Sequence, residues 1–135
     1  MNNYEAAYVA GIIDGEGSIT LTRMHEGEYR RPCISIASTD KELLVYLQSI
    51  VGGTLNNKKN YKPDQHKDSY TLSIKRKHEV FYVLKMVSPF LRIEKKKRRA
   101  MFILDNYNVV TPRNGKYNQE QLENKLSFEE KFFLI

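Results

Sequence analysis

The sequence contains a single cysteine, Cys33, which excludes an intramolecular disulfide framework and fits a reducing interior. No apolar run reaches the ~18 residues a membrane span needs. The N-terminus also lacks the basic stretch and apolar core of a signal peptide. A soluble, intracellular chain without a membrane partner is expected. The histidines His25, His66 and His78 have no zinc-ligand spacing with one another or with Cys33. No Gly-Lys-Ser/Thr follows Gly52-Gly53, so this pair reads as a helix stop rather than a phosphate loop. No segment of the chain repeats another, which excludes a tandem architecture.

What is present amounts to one domain: 135 residues with 41% hydrophobic content, enough for one ordinary core. The balance of 22 Lys plus Arg against 16 Asp plus Glu gives a net charge of +6, which favours a polyanionic partner.

The most informative stretch is Val9-Ala10-Gly11-Ile12-Ile13-Asp14-Gly15-Glu16-Gly17. A capping signal, Asn2 with Glu5, starts a helix over residues 2–14, and no proline or glycine interrupts it before Gly11. Ala7, Ala10, Gly11 and Asp14 fall on one helical face as a stripe of small residues suited to close approach of another backbone. Gly15 and Gly17 allow a sharp exit that would hold the Glu16 carboxylate beside the helix end.

Further along, alternation predicts a strand over 18–24, a hairpin connection His25–Glu28, and a second strand over 30–37 with Ile34 and Ile36 inward and Arg31, Cys33, Ser35 and Ala37 outward. Thr39 to Glu42 reads as a capping box for a helix that stops at Gly52. Strands over 54–59 and 69–75 flank a polar loop, and helices follow over 78–87 and 95–107. Two short helices close the chain, the second opening at a capping box from Ser127 to Glu130. The expected fold is α+β, a single domain over 1–135 with C-terminal helices within 95–135. Its one sheet is mixed but rich in antiparallel pairs, with helices on one face.

The nonapeptide, with the Ser18-Ile19 that follows it, resembles the signature of the LAGLIDADG homing endonucleases. The resemblance implies the αββαββα fold of that family, with the sheet forming a DNA-binding saddle. It implies a site-specific double-stranded DNA endonuclease that cuts a long, pseudo-palindromic site and originates in intron or intein homing. Mg²⁺ is the implied cofactor, with Mn²⁺ able to substitute, and no small-molecule substrate is implied. Family members with one motif act as homodimers, so the single occurrence here implies a homodimer with Ala7, Ala10, Gly11 and Asp14 at the subunit contact. The metal ligands carried over are Glu16 and the backbone of Gly15, where most members have Asp in place of Glu16. Ser38 is the nearest match to the residue that orders the catalytic water. The family's assisting lysine corresponds to Glu94, so Lys95 or Lys96 is the replacement.

Alternation also marks a DNA-facing set: Thr20, Thr22, Met24, Arg31, Ser35, Thr54, Asn56, Lys58, Thr71, Ser73 and Lys75. Lys59, Lys62, Lys67, Arg76 and Lys77 sit near strand ends, placed for phosphates. The rival reading is a catalytically inactive relative acting as an RNA maturase or DNA-binding regulator. An organelle and a bacterial or phage-infected cytoplasm both fit as the compartment.

Overall fold

The computed structural model describes residues 1–58, 61–62 and 64–135. Its elements run α1 (Asn3–Glu16), β1 (Gly17–Thr22), β2 (Arg31–Ser38), α2 (Lys41–Val51), β3 (Thr54–Lys58), β4 (Ser69–Ile74), α3 (Lys77–Val87), α4 (Glu94–Asn106) and α5 (Gln119–Phe133). The strands form one sheet in the order β1-β2-β4-β3. Every neighbouring pair is antiparallel, which corrects the mixed sheet expected from sequence.

The capping box of α1 forms as read, with Asn2 Oδ1 accepting from the Glu5 N–H at 2.8 Å and Glu5 Oε1 accepting from the Asn2 N–H at 2.9 Å. The helix does not end in a glycine turn at residue 14. It continues through Gly15 and Glu16, and β1 starts at once with Gly17 in extended backbone, φ −104°. The glycine is needed there for space. A Cβ on Gly17 would stand 2.9 Å from Ile13 Cα and 3.3 Å from Ile36 Cγ1, so only a residue without a side chain lets the strand leave so close to the helix.

At α2 the expected capping box is absent: Asp40 makes no side-chain cap, and Ser38 Oγ accepts from the Asp40 N–H at 3.0 Å instead. The helix does stop at Gly52 and Gly53, whose φ values of 77° and 89° only glycine adopts cheaply. The C-terminal region is one helix rather than two. Asn118 and Gln121 form its capping box, and Ser127 lies inside it. Its buried residues Lys125, Phe128, Glu129 and Phe132 keep one face against the core through the interval read as a break.

All helix packing onto the sheet is through one face, where Ile19, Leu21, Ile34, Ile36, Leu72 and Ile74 join Val9, Ile13, Leu44, Leu84 and Ile103 in a single buried cluster. The register aligns these residues across strands: Ile19 opposite Ile34 and Ile34 opposite Ile74, with Ile36 opposite Leu72 and Leu72 opposite Leu55. Because side chains alternate, the neighbours of these residues all emerge on the other face. No helix among the described residues is long and apolar enough to cross a membrane.

Candidate active site and nucleic-acid interface

The last carbonyls of an α-helix have no partner within the helix and form the negative end of its dipole. In α1 this end is held by α4. Lys96 Nζ donates to Ile13 O at 2.8 Å and to Asp14 O at 2.7 Å. The reverse contact caps α4, whose N-cap residue Ile93 has no side-chain acceptor. Asp14 Oδ2 accepts from the Arg92 N–H at 2.8 Å and Oδ1 from the Ile93 N–H at 3.2 Å. Each helix therefore supplies what the other's end lacks.

Gly15 and Glu16 follow the clamped turn and are exposed, with open space where a Gly15 Cβ would stand. Gly17 pairs with Ile36, and Ser38 comes just beyond Ile36 on the same strand, at the same end of the sheet as Glu16. Ser38 is half-buried and its hydroxyl is occupied by the Asp40 N–H. Of the two candidate lysines, Lys96 reaches the motif helix, while Lys95 and Glu94 are exposed at the start of α4. Among the described residues no group of three or more His, Cys, Asp or Glu side chains could hold a metal ion. A single chain thus presents one free-standing carboxylate at this point, Glu16.

The proposed subunit stripe is rotated by the structure. Ala6, Val9, Ala10 and Ile13 face the core, so Ala10 is fully buried within its own chain, and the Asp14 carboxylate is turned onto α4. The exposed face of α1 instead presents Tyr4, Ala7, Tyr8, Gly11 and Gly15. The stripe read from sequence followed residue size, whereas apolarity at Val9 and Ile13 decides which side is buried. Tyr8 leans edge-on against Tyr46 of α2, with ring centroids 5.9 Å apart.

Across the sheet's other face the register builds a row of hydroxyls through all four strands: Ser18 opposite Ser35, Ser35 opposite Ser73, and Ser73 opposite Thr54. Ala37, Thr71 and Asn56 form a second row, and Thr22 opposite Arg31 another. Thr20, Thr22, Ser35, Thr71 and Ser73 are half-buried, while Arg31, Thr54, Asn56 and Lys75 are exposed, so the set chosen by alternation does share one surface. Met24 lies beyond the end of β1, exposed, with Arg31 Nη1 donating to its sulfur at 3.7 Å. Lys58 contributes its backbone to β3, but its side chain, like all of Lys59, lies outside the described residues. Arg76, Lys77 and Lys67 are exposed, as is Lys62. Cys33, expected outward, is buried among the central strands, and that burial pushes its thiol pKa up against the opposing charge of Lys75.

Asp14 and Lys96, both named from the sequence, act through contacts that no local spacing predicts. Two further contributors escaped the sequence reading. Arg99 threads between α5 and the sheet, donating to Ile19 O at 3.1 Å beneath the Phe132 ring, and burial lowers its pKa. Lys125 is 1% exposed, yet its spacing to Phe128 and Phe132 on α5 was a legible sign of burial.

The family model of the LAGLIDADG-like domain matches residues 3–88. No curated protein matches the chain. Among solved structures, the homing endonuclease I-CvuI in complex with its target and calcium is similar with a TM-score of 0.75 and 18% identity, over 98% of this chain and 82% of that one. I-CvuI with the I-CreI target and magnesium, its DNA not cleaved, gives a TM-score of 0.76 and 19% identity over 98% and 84%. I-SmaMI bound to uncleaved DNA with calcium gives 0.66 and 18% identity, over 98% of this chain but 45% of that one. The likeness is one of fold, and with the motif match it fixes the family: the chain belongs to the LAGLIDADG-like family.

Proposed function

We propose that this chain is a site-specific double-stranded DNA endonuclease that acts as a homodimer with Mg²⁺ in intron or intein homing. One observation carries the reading: the exposed Glu16 stands on a clamped helix end where α1 runs directly into the strand that opens the polar, partly basic face of the sheet. Chemistry and recognition surface thus share one rigid junction.

The donor set suits Mg²⁺ only when two chains meet. Mg²⁺ takes one or two carboxylates and completes its shell with water and phosphate oxygens. One exposed carboxylate per chain, with the Gly15 backbone beside it, fits a site shared by two copies. When bound, the ion supplies counter-charge to the scissile phosphate and lowers the pKa of a water. Mn²⁺, equally an oxygen-binding cation, is expected to substitute. Glu16 and Gly15 are the residues that would hold it. Asp14 and Lys96 keep that helix end fixed, and the hydroxyl rows and Arg31, Asn56 and Lys75 face base edges and phosphates.

The exposed face Tyr4, Ala7, Tyr8, Gly11 and Gly15 is the surface we assign to the subunit contact, since a two-fold interface sets one patch against itself. A second reading, a DNA-binding regulator or RNA maturase without cleavage, draws on Glu94 at the position of the family's lysine and on the engagement of Lys96 with backbone.

Selection of cleaved duplexes from a randomised DNA library in Mg²⁺ tests the reading, with sedimentation on the selected site. Cleavage by a dimer is expected. Specific binding without any cleavage supports the regulator, and a monomer on the selected DNA contradicts the shared site.

A further inference from the structure

The basic run at the start of α4 divides by burial: Lys95, Lys97 and Arg98 are exposed, whereas Lys96 and Arg99 are half-buried. Three positions apart, these two share one face of the helix. Both donate to backbone, on opposite sides of Glu16. Lys96 Nζ donates to Ile13 O and Asp14 O at the end of α1. Arg99 Nη1 donates at 3.1 Å to Ile19 O, three residues beyond Glu16 in β1. Because β1 is an edge strand, a carbonyl pointing away from β2 finds no strand partner, and Arg99 supplies the missing hydrogen bond from α4.

Stability alone does not explain an arginine here. Withdrawal from water lowers the pKa of its guanidinium, and among the described residues it makes no ion pair. Its Nε is buried without a hydrogen-bond partner. A methionine would fill the space without either cost. What only a long, charged donor provides is the bond to Ile19 O. The Phe132 ring of α5 lies 4.7 Å from the guanidinium carbon and limits the directions in which the group can donate. Both α4 and α5 lie beyond the residues that the family model matches.

We propose that Arg99 is a positioning residue for the Glu16 metal site: with Lys96 it braces both sides of the α1–β1 junction, and α5 bears on that site through Phe132. The proposal rests on the metal-dependent endonuclease reading above. Mg²⁺ demands near-octahedral geometry, so a loosened junction weakens the hold on the ion before it weakens the grip on DNA.

The test is a Mg²⁺ titration of single-turnover cleavage of the selected duplex by wild type, Arg99→Met, Arg99→Lys and Phe132→Leu. Mn²⁺ uptake by each protein–duplex complex, read from the EPR signal of the free ion, is a second readout that does not depend on turnover. Arg99→Met is expected to raise the half-saturating concentration of both ions by about 10–100-fold, with metal-free duplex binding unchanged. Arg99→Lys, which keeps the charge and the donor, is expected to recover most of that loss, and Phe132→Leu to show a smaller shift in the same direction. Wild-type ion requirements in folded Arg99→Met overturn the brace, whatever that variant loses in stability, and leave the endonuclease reading intact. Equal shifts in Arg99→Met and Arg99→Lys overturn it as well, because packing rather than the donor is then responsible. If Arg99→Met fails to fold, Phe132→Leu decides, and a wild-type requirement there overturns the brace. A wild type that binds the duplex but takes up no Mn²⁺ overturns the metal reading itself, and the brace with it.

Discussion

Lys96 and Asp14 exchange caps between two helices: the Lys96 amine closes the carbonyl of Asp14 at 2.7 Å, while the Asp14 carboxylate takes the first free N–H groups ahead of α4. The motif's first acid is thereby spent on structure, and the lysine nearest the motif is spent on the same joint. Only Glu16 is left free for chemistry at the end of α1.

Lys96→Met removes two charge-assisted hydrogen bonds from part-buried carbonyls and should cost about 1–3 kcal/mol in urea unfolding. Asp14→Ala should cost about 0.5–2 kcal/mol as a lost cap. Because both changes loosen one joint, the double variant should lose less than the sum of the two. A Lys96→Met variant within about 0.5 kcal/mol of wild type, as for an ordinary surface lysine, contradicts the joint.

The glycines of the motif should separate cleanly by role. Gly17→Ala drives a Cβ to 2.9 Å from the Ile13 backbone and should destabilise the chain by about 1–3 kcal/mol. Gly11→Ala meets nothing within 4 Å and should stabilise the isolated helix by up to about 1 kcal/mol. The same Gly11→Ala change should weaken self-association in sedimentation, since the exposed face of α1 is assigned to the subunit contact. Unaltered association would move that contact elsewhere.

Lys125 predicts an alkaline gain in stability. Burial lowers its pKa to about 8 from the usual 10.5, against the charge of Glu129 and with that of Lys77. Between those two values the unfolded chain binds the extra proton, so stability rises with pH from about 8 toward 10.5 and is level below 8. The buried Cys33 thiol, pushed up from its usual 9.0, opposes the rise above about 9, and the raised phenols of Tyr107 and Tyr117 oppose it only at higher pH, so the rise is cleanest between about 8 and 9. Urea midpoints between pH 7 and 9 should show the onset of the rise in wild type and lose it in Lys125→Met. Parallel profiles contradict the assignment.

Much of this was legible in the residues. Period-two alternation put Ile34, Ile36, Leu72 and Ile74 in the core and the hydroxyl rows on the other face, because strand geometry leaves a half-buried sheet little choice. The Asn2–Glu5 cap and the Gly52-Gly53 stop are local signals and were realised locally. The errors arose where distant elements decide. The face of α1 that reaches solvent depends on what packs on Val9 and Ile13, and Lys96 finds the motif only because α4 is folded back onto it. Ser127 offered a cap that a longer amphipathic helix, already capped at Asn118, had no use for.

The most direct measurement is single-turnover cleavage of the selected duplex in Mg²⁺ by wild type and Glu16→Gln, with binding of the uncleaved duplex followed in parallel. Neutralising the one free carboxylate at the α1 end should retain binding and slow cleavage by more than about 100-fold, beyond the loss typical of a residue one shell removed from a metal. Cleavage at the wild-type rate in Glu16→Gln contradicts the assignment of the metal to Glu16.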